Sequence, residues 1–391
     1  MKIINGLVYT DEGVFKKGCV EIKDGRILGV SLEEGLTGCI SDCNDILDAE
    51  GNYVIPGLVD VHVHGCHNRD FCDADMESIS DFLAYEASLG VTALCPTTMT
   101  VPEERLLSVA RETGKYLDDL KADPTAHMKE AVFAGINMEG PFISPAKKGS
   151  QEESDIKRAD SKFVEEMQKL SGDAIKLVDI APEMDGAMEF IDEMKDKVVI
   201  SIAHTNADYD TCMKAISKGV HHITHLYNAM SPYTHRAPGV IGAASDDPES
   251  MVELITDGFH IHPCVVRNTF RIFGPERVVL ISDSMRAIGM PDGEYELGGH
   301  KVTVTGRKAL LADGTIAASV TNLYDCMKVC INDMGIAPEI AIRAASLNPA
   351  VSIGLDNELG SITPGKIANI LIADKNNFDL KAVVLKGQKL S

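Results

Sequence analysis

The chain has 391 residues, 45% of them hydrophobic, and a formal net charge of −22. It can bury a large core and is too acidic to bind a phosphate backbone across its surface. No stretch reaches the ~18 uninterrupted apolar residues of a membrane span, and the opening Met1-Lys2-Ile3-Ile4-Asn5-Gly6 has no signal-peptide profile. A cytoplasmic protein without nucleic-acid or membrane partners is expected.

From the start to about residue 52 the pattern is one of short strands and turns: 3–9, 19–23, a turn at Asp24-Gly25, then 26–30. A similar pattern returns at 368–373 and 380–385, so the two ends are expected to form one small β-sandwich. Between them, β-rich apolar runs at 58–64, 91–98, 131–139, 175–180, 198–204, 222–225, 251–257 and 278–283 alternate with helical patterns at 76–89, 102–120, 161–170, 209–218 and 263–273. Eight such βα units predict a closed parallel barrel with its reactive groups at the C-terminal ends of the strands. After the eighth strand, 293–299 and the alternating 301–305 read as an inserted hairpin, followed by helices at about 320–334 and 338–346.

The first barrel strand ends in Asp60-Val61-His62-Val63-His64. Side chains alternate faces along a strand, so Asp60, His62 and His64 share one face. Two imidazoles so placed can reach one metal ion. The other predicted strand ends carry Glu139, His204, His225 and Asp283. Nitrogen and oxygen donors converging from separate strands are what a barrel mouth can offer a catalytic metal. Asp283 has a further plausible task, since a carboxylate beside a metal-activated water can take its proton and return it to a leaving group, which points to hydrolysis. The sequence contains no Gly-x-Ser-x-Gly elbow, Walker loop or Gly-x-Gly-x-x-Gly turn. His221 and His222 read as solvated strand-start residues, and His127, His235, His262 and His300 as loop or surface residues. His67 is ambiguous. The ten cysteines include no Cys-x-x-Cys pair, although Cys39 and Cys43, and Cys326 and Cys330, are each four apart. Reduced thiols are expected, with Cys66 and Cys72 read as small hydrophobes rather than metal ligands.

These residues give the chain a resemblance to the amidohydrolase superfamily, and within it to the N-acetylglucosamine-6-phosphate deacetylases. The resemblance is carried by Pro56-Gly57-Leu58-Val59-Asp60-Val61-His62-Val63-His64-Gly65, Glu139-Gly140-Pro141-Phe142, Ala203-His204-Thr205, Thr224-His225-Leu226-Tyr227-Asn228-Ala229-Met230, Asp257-Gly258-Phe259-His260 and Asp283-Ser284-Met285-Arg286-Ala287. It implies an α/β fold: a (β/α)8 TIM-type barrel over residues 55–357, with a β-sandwich built from 1–54 and 358–391. It implies metal-dependent removal of acetate from the sugar amide, leaving glucosamine 6-phosphate. Glu139, His204 and His225 would hold the main metal, with Asp283 as acid and base. Asn228, Ala229, Arg236 and His260 would contact the sugar phosphate, joined by Ser150 in one loop and Ile316, Ala317 and Ala318 in another. A homodimer is also implied. His62 and His64 are then left for a second, weaker site, so one or two divalent ions, zinc or iron, are expected per chain.

Two stretches depart from the family pattern. Gln151 follows Lys147-Lys148-Gly149-Ser150 where some relatives place histidine, and Ala318 stands in Ile316-Ala317-Ala318-Ser319 where the family often has glycine. Both bear on the substrate and neither on the metal set. The alternatives are a cyclic-amide hydrolase on the same fold, which typically bridges two metals with a carboxylated lysine where this chain offers Glu139, and a non-catalytic oligomeric scaffold.

Overall fold

The computed structural model describes residues 1–32 and 45–390. Every barrel strand expected from the sequence has a counterpart: Leu58–Val63, Val91–Pro96, Ile175–Ile180, Val199–Ile202, His222–Ile223, Met251–Ile255 and Val278–Ile281, with the third split into Val132–Phe133 and Ile136–Met138. The split falls at Gly135, whose φ is +139° and where a Cβ would lie 2.1 Å from the Lys176 side chain, so glycine alone fits. Neighbouring strands pair in parallel throughout. The pairings form two parallel sheets, and parallel bridges Thr97–Asn137 and Val63–Ser284 link them at both edges. The result is a mixed α/β fold with a curled parallel sheet.

Strands buried on both faces are expected to read as continuous apolar runs. Here one set of side chains departs from that pattern: Asp60, His62, Asn137, Asp179, Ser201, His222 and Glu253 are all at most 2% exposed. They bond to one another and to the strands, as in Asn137 Nδ2 to the Val61 carbonyl at 2.9 Å, Thr224 Oγ1 to Asp179 at 2.8 Å and His222 Nδ1 with Ser201 Oγ at 2.9 Å. The interior beneath the strand ends is therefore a polar network.

The expected helices form at Met76–Ser88, Glu103–Ala122, Ser161–Ser171, Tyr209–Ile216 and Pro263–Phe273. Several start at side-chain caps, with Asp75, Asp160 and Asp208 accepting main-chain N–H groups of the first turn. Three short helices, Ala187–Met194, Gly239–Asp246 and Leu347–Ser352, were not anticipated, because their apolar faces are too brief to show a period. The inserted hairpin is present as Gly293–Leu297 and His300–Thr305, extended by Lys308–Leu310.

Strands from both ends of the chain share one mixed sheet of eight strands, in which Ile370–Ala373 pairs with Tyr53–Pro56, and Tyr53–Pro56 with Lys2–Tyr9. Its buried residues, among them Val8, Val20, Val54, Ile370 and Val384, form a cluster of their own. Cys66, Cys72, Cys95, Cys212, Cys264, Cys326 and Cys330 are free, as expected, whereas Cys19 is disulfide-bonded, a departure from the all-thiol expectation. Cys39 and Cys43 lie outside the described residues. Among the described residues no helix is long and apolar enough to cross a membrane.

Candidate metal centre

The six residues expected at strand ends come together. His62 is the last residue but one of Leu58–Val63 and His64 follows that strand, Glu139 comes one residue after Ile136–Met138, and His204, His225 and Asp283 each come two residues after their strands. His204, His225 and Asp283 have φ of +41°, +26° and +48°. Such a backbone costs about 1–3 kcal/mol per non-glycine residue and persists only where the surroundings hold it. They do: the Asp283 N–H donates to the His62 carbonyl at 2.9 Å, the Ser144 N–H to the His204 carbonyl at 2.9 Å, and the His225 N–H to Glu253 Oε2 at 3.1 Å.

Glu139 Oε1 lies 3.0 Å from both His204 Nε2 and His225 Nε2, which are themselves 3.1 Å apart. Two ring nitrogens so close repel if both carry protons. As ligands they fit, because donors about 2.0–2.1 Å from one tetrahedral ion stand about 3.3 Å apart. The second carboxylate oxygen, Oε2, lies 3.5 Å from His64 Nε2, and Asp283 Oδ1 lies 3.3 Å from His64 Nε2 and 3.6 Å from His62 Nε2. Two overlapping triads could each hold an ion: His62, Glu139 and His225, and His62, His64 and Asp283. His62 Nε2 is buried without a hydrogen-bond partner. The all-nitrogen-and-oxygen donor set suits zinc or iron.

Three of the other ring nitrogens are tied down, while His225 Nδ1 is buried without a hydrogen-bond partner. His204 Nδ1 faces the Lys147 carbonyl at 2.9 Å, His64 Nδ1 the Thr97 carbonyl at 3.2 Å, and His62 Nδ1 the Glu253 carboxylate at 3.0 Å. Such partners fix which nitrogen is free to coordinate. Burial opposes charge on Glu139, yet His204, His225 and His62 hold its pKa well below the usual carboxylate range. Burial likewise opposes charge on Asp283, and His64, His62 and His225 keep its pKa low. In the reverse sense, burial works against a charged His64, but Asp283, Glu139 and Asp70 carry it up to about 9. The cluster is thus built to keep negative charge beside a cation, a place a divalent ion takes by displacing protons.

A cavity of about 250 Å³ opens onto this cluster. Of the expected substrate contacts, Ser150, Asn228, Ala229, His260, Ile316 and Ala317 line it. Ser150 Oγ donates to the Ala317 carbonyl at 3.0 Å, joining the two loops that carry them. His260 Nδ1 sits 2.7 Å from Asp257 Oδ2, which orients the ring. Ala318 is buried behind the wall, and Arg236 is exposed and off the cavity surface.

Sequence reasoning missed several participants. Gln151, read only as a departure, donates Nε2–H to Glu139 Oε2 at 2.5 Å and accepts the Thr100 N–H at 2.6 Å, so it holds one oxygen of the central carboxylate. Glu253 was passed over inside an apolar strand, although a lone carboxylate between Val252 and Leu254 is itself a signal. His222, read as solvated, is 2% exposed and bonded to Ser201, because its short strand is central in the sheet. His127 is also buried, between Glu130 and Asp119. His67 stacks on Tyr85 and does not line the cavity. Cys66 and Cys72 have thiols pushed up by burial and belong to neither metal-capable group.

A model of the amidohydrolase family matches residues 53–390. The chain belongs to the amidohydrolase family. That family is metal-dependent, and the His/Glu/Asp groups above are this amidohydrolase's candidates for the ion. It is 36% identical to the N-acetylglucosamine-6-phosphate deacetylase of Bacillus subtilis, over 94% of this chain and 92% of that one. It is 29% identical to the N-acetylgalactosamine-6-phosphate deacetylase of Escherichia coli O157:H7, over 98% and 97%. The structure of N-acetylglucosamine-6-phosphate deacetylase from Pasteurella multocida superposes with a TM-score of 0.91 at 26% identity, covering 100% of this chain and 99% of that one.

Proposed function

We propose that this amidohydrolase hydrolyses the acetamide of N-acetylglucosamine 6-phosphate, releasing acetate and glucosamine 6-phosphate in amino-sugar catabolism. The observation that carries the reading is the meeting of Glu139, His204 and His225 within 3.0–3.1 Å on a cavity that also exposes Asp283. Glu139, His204 and His225 would hold the main ion, with His62 and His64 at a second, weaker site, and zinc or iron fits both. When bound, such an ion polarises the amide carbonyl and makes water acidic enough to be a nucleophile near neutral pH. Asp283 then takes the proton from the attacking water and passes it to the departing nitrogen, without which the amine is a poor leaving group. Ser150, Asn228, Ala229, His260, Ile316 and Ala317 would bound the sugar, with Ala318 backing the wall behind them. Arg236 and His260 meet the phosphate, since a guanidinium fork matches phosphate oxygens and gives an acidic protein a local welcome for an anion.

The same reading takes residues 55–357 as a (β/α)8 barrel, supported by the bridges at both edges of its parallel sheets, and 1–54 with 358–391 as a β-sandwich whose strands fold over their own apolar cluster. It takes the protein as a cytoplasmic homodimer, and the exposed Arg236 fits a phosphate site completed near a subunit boundary. Sedimentation as a monomer would reject the dimer.

The galactosamine-type relative makes the 4-epimer a second candidate substrate. The test is acetate release by metal-supplemented protein from the two phosphorylated epimers, from unphosphorylated N-acetylglucosamine and from dihydroorotate. Rapid release from N-acetylglucosamine 6-phosphate is expected. Preference for the galactosamine epimer would move the assignment within the class, and turnover of dihydroorotate alone would replace it.

A further inference from the structure

We propose that Glu253 is a positioning residue for the metal centre, a single carboxylate oxygen of which holds both the His62 ring and the His225 main chain. Glu253 lies in the strand Met251–Ile255 and is fully buried. Burying a carboxylate costs several kcal/mol unless it is well bonded, so an apolar strand that carries one has a use for it. Glu253 Oε2 accepts the His225 N–H at 3.1 Å and stands 3.0 Å from His62 Nδ1. The Glu253 carbonyl also accepts the Leu226 N–H at 2.9 Å, so residues 225 and 226 are gripped twice where the His225 backbone is left-handed.

The consequence for His62 is a choice of tautomer. With Nδ1–H given to Glu253, the Nε2 lone pair is left facing Glu139 Oε1 at 3.5 Å and Asp283 Oδ1 at 3.6 Å, and Nε2 has no competing hydrogen bond. A carboxylate behind a histidine both turns the ring and strengthens its free nitrogen as a donor. Because the same oxygen fixes His225, Glu253 couples the second site to the first.

The inference rests on the metal-dependent reading above, and the experiment separates the two. Zinc affinities of both sites are measured for the unsubstituted protein, Glu253→Gln, His62→Gln and the double variant. Glu253→Gln is expected to weaken the His62 site by about 10–100-fold, the usual cost of losing such a partner, and to weaken it little further on the His62→Gln background. An equal loss on both backgrounds, or none on either, overturns the positioning role. Unsubstituted protein that binds no zinc overturns the metal reading and this inference with it. Should Glu253→Gln not fold, ¹⁵N shifts of His62 in zinc-loaded unsubstituted protein decide the matter. A proton on Nδ1 with a coordinating Nε2 supports the role, and a proton on Nε2 overturns it.

Discussion

The candidate metal cluster and the rim of the cavity are built to different standards. In the cluster, ligand atoms from five strands lie within 3.0–3.6 Å of a neighbour, and nearly every second ring nitrogen has a fixed partner. At the rim, Asn228 and Ala229 follow His225 on a loop, Ser150 and Ala317 hold each other across two more, and Arg236 stands in solvent. Strand ends fix geometry to fractions of an ångström, which proton transfer requires, whereas loops can adjust to a ligand. The difference teaches where to look for chemistry and where for specificity.

The sharpest way to break this contrast is Asp283→Asn, which removes proton transfer but leaves the cluster assembled. Turnover should fall by about 10²–10⁴-fold with the main ion, on Glu139, His204 and His225, retained. Near-normal turnover with stoichiometric metal would take the acid/base role away from Asp283. Next in size, His62→Gln combined with His64→Asn should lower metal from about two equivalents to one while keeping some activity, because Glu139, His204 and His225 already supply three ligands. Elemental analysis finding one equivalent in the unsubstituted protein, even with excess metal, would leave the pair as pocket lining. On the rim, Arg236→Ala should cost about 10–100-fold in kcat/KM for the phosphorylated sugar and far less for its unphosphorylated counterpart, since only the former loses a charge-assisted bond. Equal losses on both would remove the phosphate role. The smallest effect is expected for Gln151→Ala, which strands the Thr100 N–H and one Glu139 oxygen. It should lower unfolding stability by about 1–3 kcal/mol, read from the denaturant midpoint at constant m-value. An unchanged midpoint would mean that water takes over both bonds.

Much of the cluster was legible in the sequence because strand alternation and strand ends leave marks in it. His62 and His64 two apart, and Glu139, His204, His225 and Asp283 after apolar runs, needed only a period of two and a barrel topology. Glu253 and Gln151 were not legible in the same way. Their roles depend on which side chain lies across the interior from which, and that follows from the stagger of strands and the path of a loop. Glu253 faces His62 from a strand 191 residues away in sequence. The short helices Ala187–Met194 and Gly239–Asp246 failed for a different reason, since two turns carry too few apolar positions to separate a helical period from a loop. His222 shows the cost of judging exposure from position: a residue that opens a two-residue strand is buried when that strand is flanked on both sides.

The central claim joins a metal centre to a deacetylation, and one titration tests both parts. Protein stripped with chelator is given increasing zinc, and acetate release from N-acetylglucosamine 6-phosphate is followed against bound metal. The account predicts no acetate without metal, activity rising with the first equivalent, and no recovery in His204→Ala or His225→Ala at the same zinc. Acetate release at full rate from stripped protein, or recovery in either variant equal to that of the unsubstituted chain, would contradict it.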